Sequence, residues 1–95
     1  MTKAFLEITL TIAPEQRAAA GGVYAKYRGP FLSTITGAQS KQLLLRLEDV
    51  QVLHGFDSKE NAERYLQSPL FQNDVVTALS PHLGGAPEIR IYECA

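Results

Sequence analysis

The ionisable side chain best placed for chemistry is His54, in the segment Val50–Phe56. Apolar residues alternate with other types there, so His54 shares one face of a strand with Val50, Val52 and Phe56. An imidazole titrates near neutral pH. On a face turned toward helices it could act as a general base or orient a phenolic substrate. The alternative is a core-edge histidine that is hydrogen-bonded to a tyrosine or a backbone group.

Aromatic side chains could form the walls of a pocket around this histidine. A tyrosine offers a large apolar area with one polar tip, which suits an aromatic ligand. The candidates for binding such a ligand are Tyr24, Tyr27, Tyr65, Phe71 and Phe56. The alternative is that these rings are ordinary core residues.

Two further features of the first predicted helix bear on a pocket. Arg17 and Arg28 could bind an acidic group of a substrate at the pocket mouth, or could be solvated surface charges. Gly21-Gly22 is unfavourable inside a helix, since each glycine costs about 1 kcal/mol relative to alanine. We expect close packing of the helix on the sheet to compensate, and the alternative is room for a ligand.

Several kinds of functional site are missing from the sequence. His54 and His82 lie in separate elements, with His82 in a loop that we expect to be exposed, so they lack metal-ligand spacing. The chain has no glycine-rich phosphate loop and no nucleophile elbow, and Cys94 has no partner. We therefore predict no metal and no cofactor, which leaves any chemistry to histidine, tyrosine and the shape of the pocket.

Composition and charge argue against several classes of protein. Nine basic and ten acidic residues give a net charge of -1 without any cluster of cations, so nucleic-acid binding is not expected. No stretch approaches the roughly 20 apolar residues of a membrane helix. The single cysteine and the early Glu7, which would interrupt a signal peptide's apolar core, predict a cytoplasmic protein.

The pattern along the chain predicts the order strand, helix, strand, strand, helix, strand. The expected bounds are 4–12, 14–28, 39–47, 50–56, 59–79 with a break near 68, and 88–93. Gly29-Pro30 should break or kink the first helix, and Asp57 or Ser58 should cap the second. This is the split βαβ pattern of an α+β, ferredoxin-like domain over residues 1–95, with a four-stranded antiparallel sheet and both helices on one face.

The sheet face left open by the helices predicts a homodimer. It should carry Phe5, Leu53 and Tyr92 beside Glu7 and Arg90, a set too apolar to be simply solvated and too polar for a dry core. Packing against a second copy would bury the apolar members, while Glu7 and Arg90 could pair across neighbouring strands. The alternative is a solvated sheet with scattered apolar residues.

One segment carries a family resemblance. The pattern Gly55-Phe56-x-Ser58-x-Glu60-x-Ala62-x-x-Tyr65-x-x-Ser68-Pro69-x-Phe71 resembles the strand-to-helix segment of dimeric α+β barrel proteins, including the antibiotic biosynthesis monooxygenase-like family. The resemblance implies a homodimer whose sheets face each other, with a pocket between sheet and helices in each protomer. Members include cofactor-free oxygenases of quinol-type aromatics, haem-degrading enzymes, isomerases and proteins without known activity.

The chain departs from the better-defined branches of that family. It has no tryptophan, and its second helix offers Tyr65 and Phe71 where haem-degrading relatives would place a ligating histidine. Both departures argue against transferring one specific reaction to this chain.

Three functions follow as hypotheses. The first is a cofactor-independent monooxygenase or isomerase acting on a small aromatic or quinoid substrate, with His54 accepting a proton from the substrate hydroxyl. The second is a non-catalytic dimeric module that binds a small ligand or takes part in a stress response. The third is a structural partner in a larger assembly.

Overall fold

Four strands form one antiparallel sheet in the order β2-β3-β1-β4. The computed structural model describes residues 2–95, so Met1 of the predicted 1–95 domain lies outside the described residues. The strands are β1 (Ala4–Leu10), β2 (Ala38–Leu45), β3 (Val50–Phe56) and β4 (Glu88–Glu93). The predicted ferredoxin-like α+β sheet is confirmed, with β2 and β4 at its edges.

The helical segments cover one face of this sheet. They are a 3₁₀ turn (Pro14–Gln16), α1 (Arg17–Thr34), α2 (Lys59–Leu66), a π-helical segment (Leu70–Val75), α3 (Val76–Leu79) and a second 3₁₀ turn (Ser80–His82). The predicted break near residue 68 is present. None of the helices within residues 2–95 combines the length and the apolar character needed to cross a membrane.

Alternation along the two central strands places one side of each in the core. The helix-facing side of β1 is fully buried and its other side is half-buried. The buried residues on the helix-facing sides are Ala4, Leu6, Ile8 and Leu10 of β1 with Val50, Val52, His54 and Phe56 of β3. The inward direction predicted for His54 is therefore confirmed.

The helix α1 continues to Thr34, so the predicted break at Gly29-Pro30 is wrong. Pro30 is exposed, whereas the next residue, Phe31, packs the last turns of the helix against the core. The Phe31 ring is fully buried and lies edge-on to Phe56, with 5.6 Å between ring centroids. Burying such a ring contributes roughly 1.5–3 kcal/mol, which offsets much of the ~3 kcal/mol cost of an interior proline.

The predicted β2–β3 hairpin is confirmed, with differences at both ends. β2 ends at Leu45, two residues early, because the Arg46 amide turns to donate to the Asp49 carbonyl at 3.1 Å. The Arg46 guanidinium also pairs with the Asp49 carboxylate, at 2.6 Å from Nε to Oδ1. At the other end, Gln39 forms a bulge opposite Gly55, since the register shifts between residues 38 and 40.

Of the two predicted caps for α2, Ser58 is the one used. The Asn61 amide donates to Ser58 Oγ at 3.2 Å, while Asp57 Oδ1 accepts from Asn61 Nδ2 at 2.8 Å. Gly37 has a φ of 81° and lies against the side chains of Asp57 and Asn61, so a Cβ at this position would collide with both. The left-handed backbone and the close approach together require glycine at this turn.

The opposite face of the sheet carries the residues predicted for a dimer interface. Phe5 lies opposite Tyr92, and Glu7 lies opposite Arg90, so the predicted register of that charged pair is confirmed. The predicted ion pair between them is wrong, because Arg90 Nη2 instead contacts Glu88 Oε2 on its own strand at 3.0 Å.

Candidate functional site

An apolar cleft opens between the inner face of the sheet and α1. Its volume is about 70 Å³, several times the roughly 10–15 Å³ that one water molecule requires. Aliphatic side chains form most of its wall, including Leu10 and Val52 from the sheet and Val75 and Leu79 from the segment that follows α2. The cleft lies where the sequence places a pocket, between sheet and helices.

Gly21 leaves part of this cleft empty. It lines the cleft, and a Cβ at this position would meet no atom within 4 Å. Gly22 also has open space around it, but it is exposed and does not line the cleft. The expectation of close helix-to-sheet packing at these glycines is therefore wrong, and the alternative, open space, is what the structure contains.

His54 lines the cleft and is 2% exposed. Its Nδ1 lies 3.1 Å from the Leu6 carbonyl oxygen. Because a carbonyl can only accept, Nδ1 carries the hydrogen and Nε2 keeps a lone pair. Burial, and then the nearby charge of Lys41, lower the pKa of His54 to about 3. The imidazole is therefore neutral at physiological pH and accepts hydrogen bonds better than it holds a proton.

The five aromatic candidates divide into two groups. Tyr24, Tyr27 and Phe71 line the cleft together with the histidine. Tyr65 and Phe56 do not line it, and instead belong to a buried aromatic cluster in which Tyr65 packs against the histidine ring and Phe56 packs against Tyr65. The structure thus brings three of the five rings to one surface and uses the other two as support.

Tyr65 is the centre of that aromatic cluster. Its ring centroid lies 5.5 Å from that of His54, 4.9 Å from that of Phe31 and 5.2 Å from that of Phe71. Its hydroxyl is buried and has no hydrogen-bond partner within residues 2–95, and burial raises the pKa of Tyr65. The packing of its neighbours fixes the ring, while the hydroxyl lowers the stability of the fold.

Lys41 is the site residue that the sequence reasoning missed. It lines the cleft on β2, is only 4% exposed, and lies opposite His54 in the strand register. Its Nζ lies 5.3 Å from the centroid of the Phe31 ring and 5.8 Å from that of Tyr24. Burial, and then the charge of Arg28, lower the pKa of Lys41 to about 8.

The sequence contains a pattern that indicates an inward direction for the Lys41 side chain. Lys41 precedes Leu43 and Leu45 by two and four residues, so strand alternation puts all three on the helix-facing side. The uninterrupted run from Leu43 to Leu45 conceals that alternation, and lysine is rarely buried without a partner. The inward direction of a lone charge is therefore easy to overlook.

The helix α1 fixes the position of Lys41 through the edge strand. The Tyr24 hydroxyl donates to the Lys41 carbonyl oxygen at 2.7 Å, and Arg28 Nε donates to the same oxygen at 3.3 Å. Arg28 was predicted either to bind an acidic group or to be solvated. It is exposed and adds positive charge beside the cleft.

Arg17 holds the other end of the cleft together. Its guanidinium donates to three backbone carbonyls, those of Ile12 at 3.3 Å, Arg46 at 2.7 Å and Leu47 at 2.9 Å. Arg17 therefore ties the end of β1 and the β2–β3 connection to the start of α1. Its donors are engaged with the backbone, which makes it a structural cation at the rim.

The second histidine lies away from the cleft. His82 is half-buried, with Nδ1 2.8 Å from Gln16 Oε1, so the expectation of an exposed loop residue is wrong. It ties the second 3₁₀ turn to the first. Within residues 2–95, His, Cys, Asp and Glu side chains form no group of three that could hold a metal ion.

No protein-family model and no curated protein matches this sequence. Solved structures do match, over nearly the whole chain. A Caulobacter crescentus protein provisionally named an antibiotic biosynthesis monooxygenase has a TM-score of 0.84 at 18% identity, covering 99% of this chain and 91% of that one. A Bordetella bronchiseptica protein with the same provisional name has a TM-score of 0.83 at 15% identity, covering 98% of both chains. The fold is that of the antibiotic biosynthesis monooxygenase-like proteins.

A third match shows how broadly this fold is distributed. A protein of unknown function from Nitrosomonas europaea has a TM-score of 0.76 at 22% identity, covering 99% of this chain and 90% of that one. The predicted resemblance to the monooxygenase-like proteins is confirmed for the fold. Identities this low show the fold and do not transfer a reaction to this chain.

Proposed function

We propose that this protein is a cofactor-independent enzyme that binds a small aromatic hydroxyl compound in the cleft and oxygenates or isomerises it. The observation that carries the proposal is the pairing of two buried ionisable side chains, His54 and Lys41, with an otherwise apolar cleft. A concave, mostly apolar site with a few polar groups and shifted pKa values is a common form of a small-molecule site. The fold shared with the monooxygenase-like proteins favours the same class of chemistry.

Each candidate residue has a role in this proposal. The neutral His54 ring accepts the hydrogen of the substrate hydroxyl, and Tyr24, Tyr27 and Phe71 hold the aromatic ring of the substrate against the aliphatic wall. Tyr65 and Phe56, assigned to substrate binding from the sequence, act through the position of His54, because Tyr65 packs against its ring and Phe56 packs against Tyr65.

The chemistry starts from an electron-rich substrate anion. In the oxygenase reaction the anion reacts with dioxygen at the ring carbon that is a methylene in the keto form of the substrate. That carbon loses its remaining hydrogen and gains one oxygen atom as a carbonyl. The second oxygen atom leaves as water, which contains this hydrogen and the proton first taken from the hydroxyl. The substrate supplies all the electrons, so no reductant is needed. In the isomerase reaction the anion is protonated at carbon instead of oxygen. Both reactions need only a group that favours the anion and a cleft that admits the substrate.

The direct test is oxygen uptake and product analysis with a panel of small quinols and anthrone-type substrates. We expect turnover by the wild type, loss of turnover in His54→Asn, and full turnover in the matched variant His82→Asn, whose histidine lies outside the cleft. Circular dichroism checks that both variants keep the fold. Equal rates in the wild type and His54→Asn would remove His54 from the mechanism.

One observation favours a second function, a binding module without chemistry. With its pKa lowered to about 3, His54 is a weak base, so it favours a bound hydroxyl more than a transferred proton. This alternative predicts saturable binding of an aromatic hydroxyl compound without any product. The same oxygen-uptake and product measurements separate it from the enzyme.

We also propose that the protein is a homodimer formed through the open face of the sheet. The support is apolar area on that face: Tyr92 is 50% exposed and Leu44 is 43% exposed, with half-buried Phe5 and Leu53 between them on the central strands. An aromatic and leucine patch flanked by polar residues is typical of a protein interface. A stable dimer would bury roughly 800 Å² per protomer.

A cytoplasmic location is the last part of the proposal. Cys94 is an exposed free cysteine, and such a thiol persists in a reducing compartment. Fractionation of cells that produce the protein, followed by immunoblotting, tests this directly. Recovery in an oxidising compartment would contradict it.

A further inference from the structure

Lys41 presents a positive charge in the cleft that no carboxylate in the described chain balances. Its ammonium makes none of the ion pairs or hydrogen bonds found within residues 2–95. Its Nζ lies over the rings of Phe31 and Tyr24. A largely buried charge without an oppositely charged partner is destabilising, and cation–π contacts offset only part of that cost.

The surroundings of Lys41 are positive or neutral on every side. β3 contributes the neutral His54, and α1 contributes Arg28, Tyr24, Tyr27 and, at the far end of the cleft, Arg17. β1 and the segment from residue 70 to 87 contribute aliphatic and aromatic side chains. Among the described residues that line the cleft there is no aspartate and no glutamate.

We propose that Lys41 is the anion-binding group of this cleft, and that the ligand is a small weak acid bound as its anion, with its apolar body against the aliphatic wall. This deepens the proposed function and depends on it only for the location of the ligand. Lys41 supplies the charge that makes ionisation of the ligand favourable. His54 then takes the hydroxyl hydrogen of a substrate only in passing, because the charge of Lys41, and not the basicity of His54, stabilises the anion.

Electrostatics inside the cleft determine which form of a weak acid binds. In an apolar cleft without a cation the neutral acid would bind better, because the anion loses its hydration. A lysine ammonium in the same cleft reverses that preference, since opposite charges attract strongly at low effective dielectric constant. Binding of the anion in turn favours the charged lysine, so the pKa of Lys41 rises from about 8 when the ligand enters.

The experiment uses 4-nitrophenol, whose ionised form absorbs visible light, as the probe. Its apparent pKa is measured free and at saturating wild-type protein. We expect the protein to bind the phenolate about tenfold more tightly than the phenol, which lowers the apparent pKa of the bound probe by about one unit. The neutral analogue 4-nitroanisole should bind at least tenfold more weakly than the phenolate.

Two lysine variants make the test specific. Lys41→Met keeps the length and apolar stem of the side chain and removes its charge, so we expect the bound probe to favour the neutral phenol. Lys26→Met is the matched control, since Lys26 also lies over a tyrosine ring, 5.3 Å from the centroid of Tyr27, but is exposed. It should leave the wild-type preference unchanged.

The contrary results are equally clear. A wild-type protein that prefers the neutral phenol, that binds neither probe saturably, or whose preference survives in Lys41→Met overturns the proposal. If Lys41→Met does not fold, NMR titration of the wild-type lysine Nζ signals replaces it: a Lys41 pKa that does not rise with bound phenolate overturns the proposal as well.

This result is independent of turnover. If phenolate binds through Lys41 but quinols are not converted, the proposed enzyme fails while the anion site stands. A carboxylic acid of similar size, 4-nitrobenzoate, tells whether the site accepts any small organic anion or only phenolates. Tight binding of both supports a general anion site, and binding of the phenolate alone supports an aromatic hydroxyl substrate.

Discussion

Lys41 and His54 lie side by side on neighbouring strands, paired in the β2–β3 register, with both side chains buried on the face that α1 covers. Their proximity affects the protonation of the histidine. The lysine charge is one of the two causes that keep the pKa of His54 low. The buried ammonium favours a hydroxyl compound in its ionised form, and the neutral imidazole beside it can accept a hydrogen bond from the ligand.

Acid should destabilise the protein through His54. The pKa of this histidine is lowered to about 3 in the fold from 6.5 in the unfolded chain. Between these values the unfolded chain binds a proton that the folded chain does not, so stability falls as pH falls from about 6.5 toward 3. The contribution of this one group has a slope of up to about 1.4 kcal/mol per pH unit.

The measurement is the urea midpoint of unfolding from pH 7 to pH 4. We expect His54→Gln to reduce the slope in this range. His82→Gln is the matched control for the loss of an imidazole outside the cleft. An unchanged slope in His54→Gln would show that the imidazole is solvated or protonated in the fold.

Removing the Tyr65 hydroxyl should stabilise the protein. That hydroxyl is buried without a partner, so its desolvation is uncompensated. We expect Tyr65→Phe to raise the free energy of unfolding by about 1 kcal/mol, measured by urea denaturation. The matched variant Tyr24→Phe should lower it, because it removes the 2.7 Å hydrogen bond to the Lys41 carbonyl. A loss of stability in Tyr65→Phe would reveal a polar partner for its hydroxyl.

The open sheet face should form the dimer interface. Leu53 lies at the centre of that face on β3, so Leu53→Lys would bury a charge in the proposed interface and produce a monomer. Leu47→Lys is the control, since Leu47 is 83% exposed in the β2–β3 connection. Analytical ultracentrifugation measures both. A wild-type monomer, or a dimer that survives Leu53→Lys, would contradict this interface.

The sequence alone predicted the strands where apolar and polar residues alternate without interruption. Burial alternates with a period of two along β1 and most of β3, and this alternation predicted the buried face that carries His54. The prediction from local sequence was wrong at Pro30. Burial of the Phe31 side chain stabilises the continued helix enough to offset the preference of proline to end it. That balance depends on a long-range contact with Phe56 that no local pattern contains.

The site was predicted in part. Helix spacing predicted that aromatic side chains would face the sheet, and Tyr24, Tyr27 and Phe71 line the cleft. Spacing alone could not separate these three from Tyr65, which packs against His54 and does not line the cleft. Lys41 was missed because a buried charge without a partner contradicts what its residue type predicts. Such a contradiction between residue type and position is typical of functional sites.

Filling the cleft tests the central claim, that this cleft is the ligand site. Gly21 lines it with open space beside its Cα, so Gly21→Leu should occupy the space that a ligand would use. Gly22→Leu places the same side chain one residue along α1, on the exposed surface. Both variants should gain helix stability, since leucine favours helix more than glycine by about 0.8 kcal/mol.

The measurement is the thermal unfolding midpoint of the wild type and both variants against a panel of quinols, nitrophenols and aromatic acids. We predict that a ligand at about one hundred times its dissociation constant stabilises the wild type and Gly22→Leu by roughly 2.7 kcal/mol and leaves Gly21→Leu unchanged. A ligand that stabilises all three equally binds elsewhere, and a panel that stabilises none of them would contradict the account.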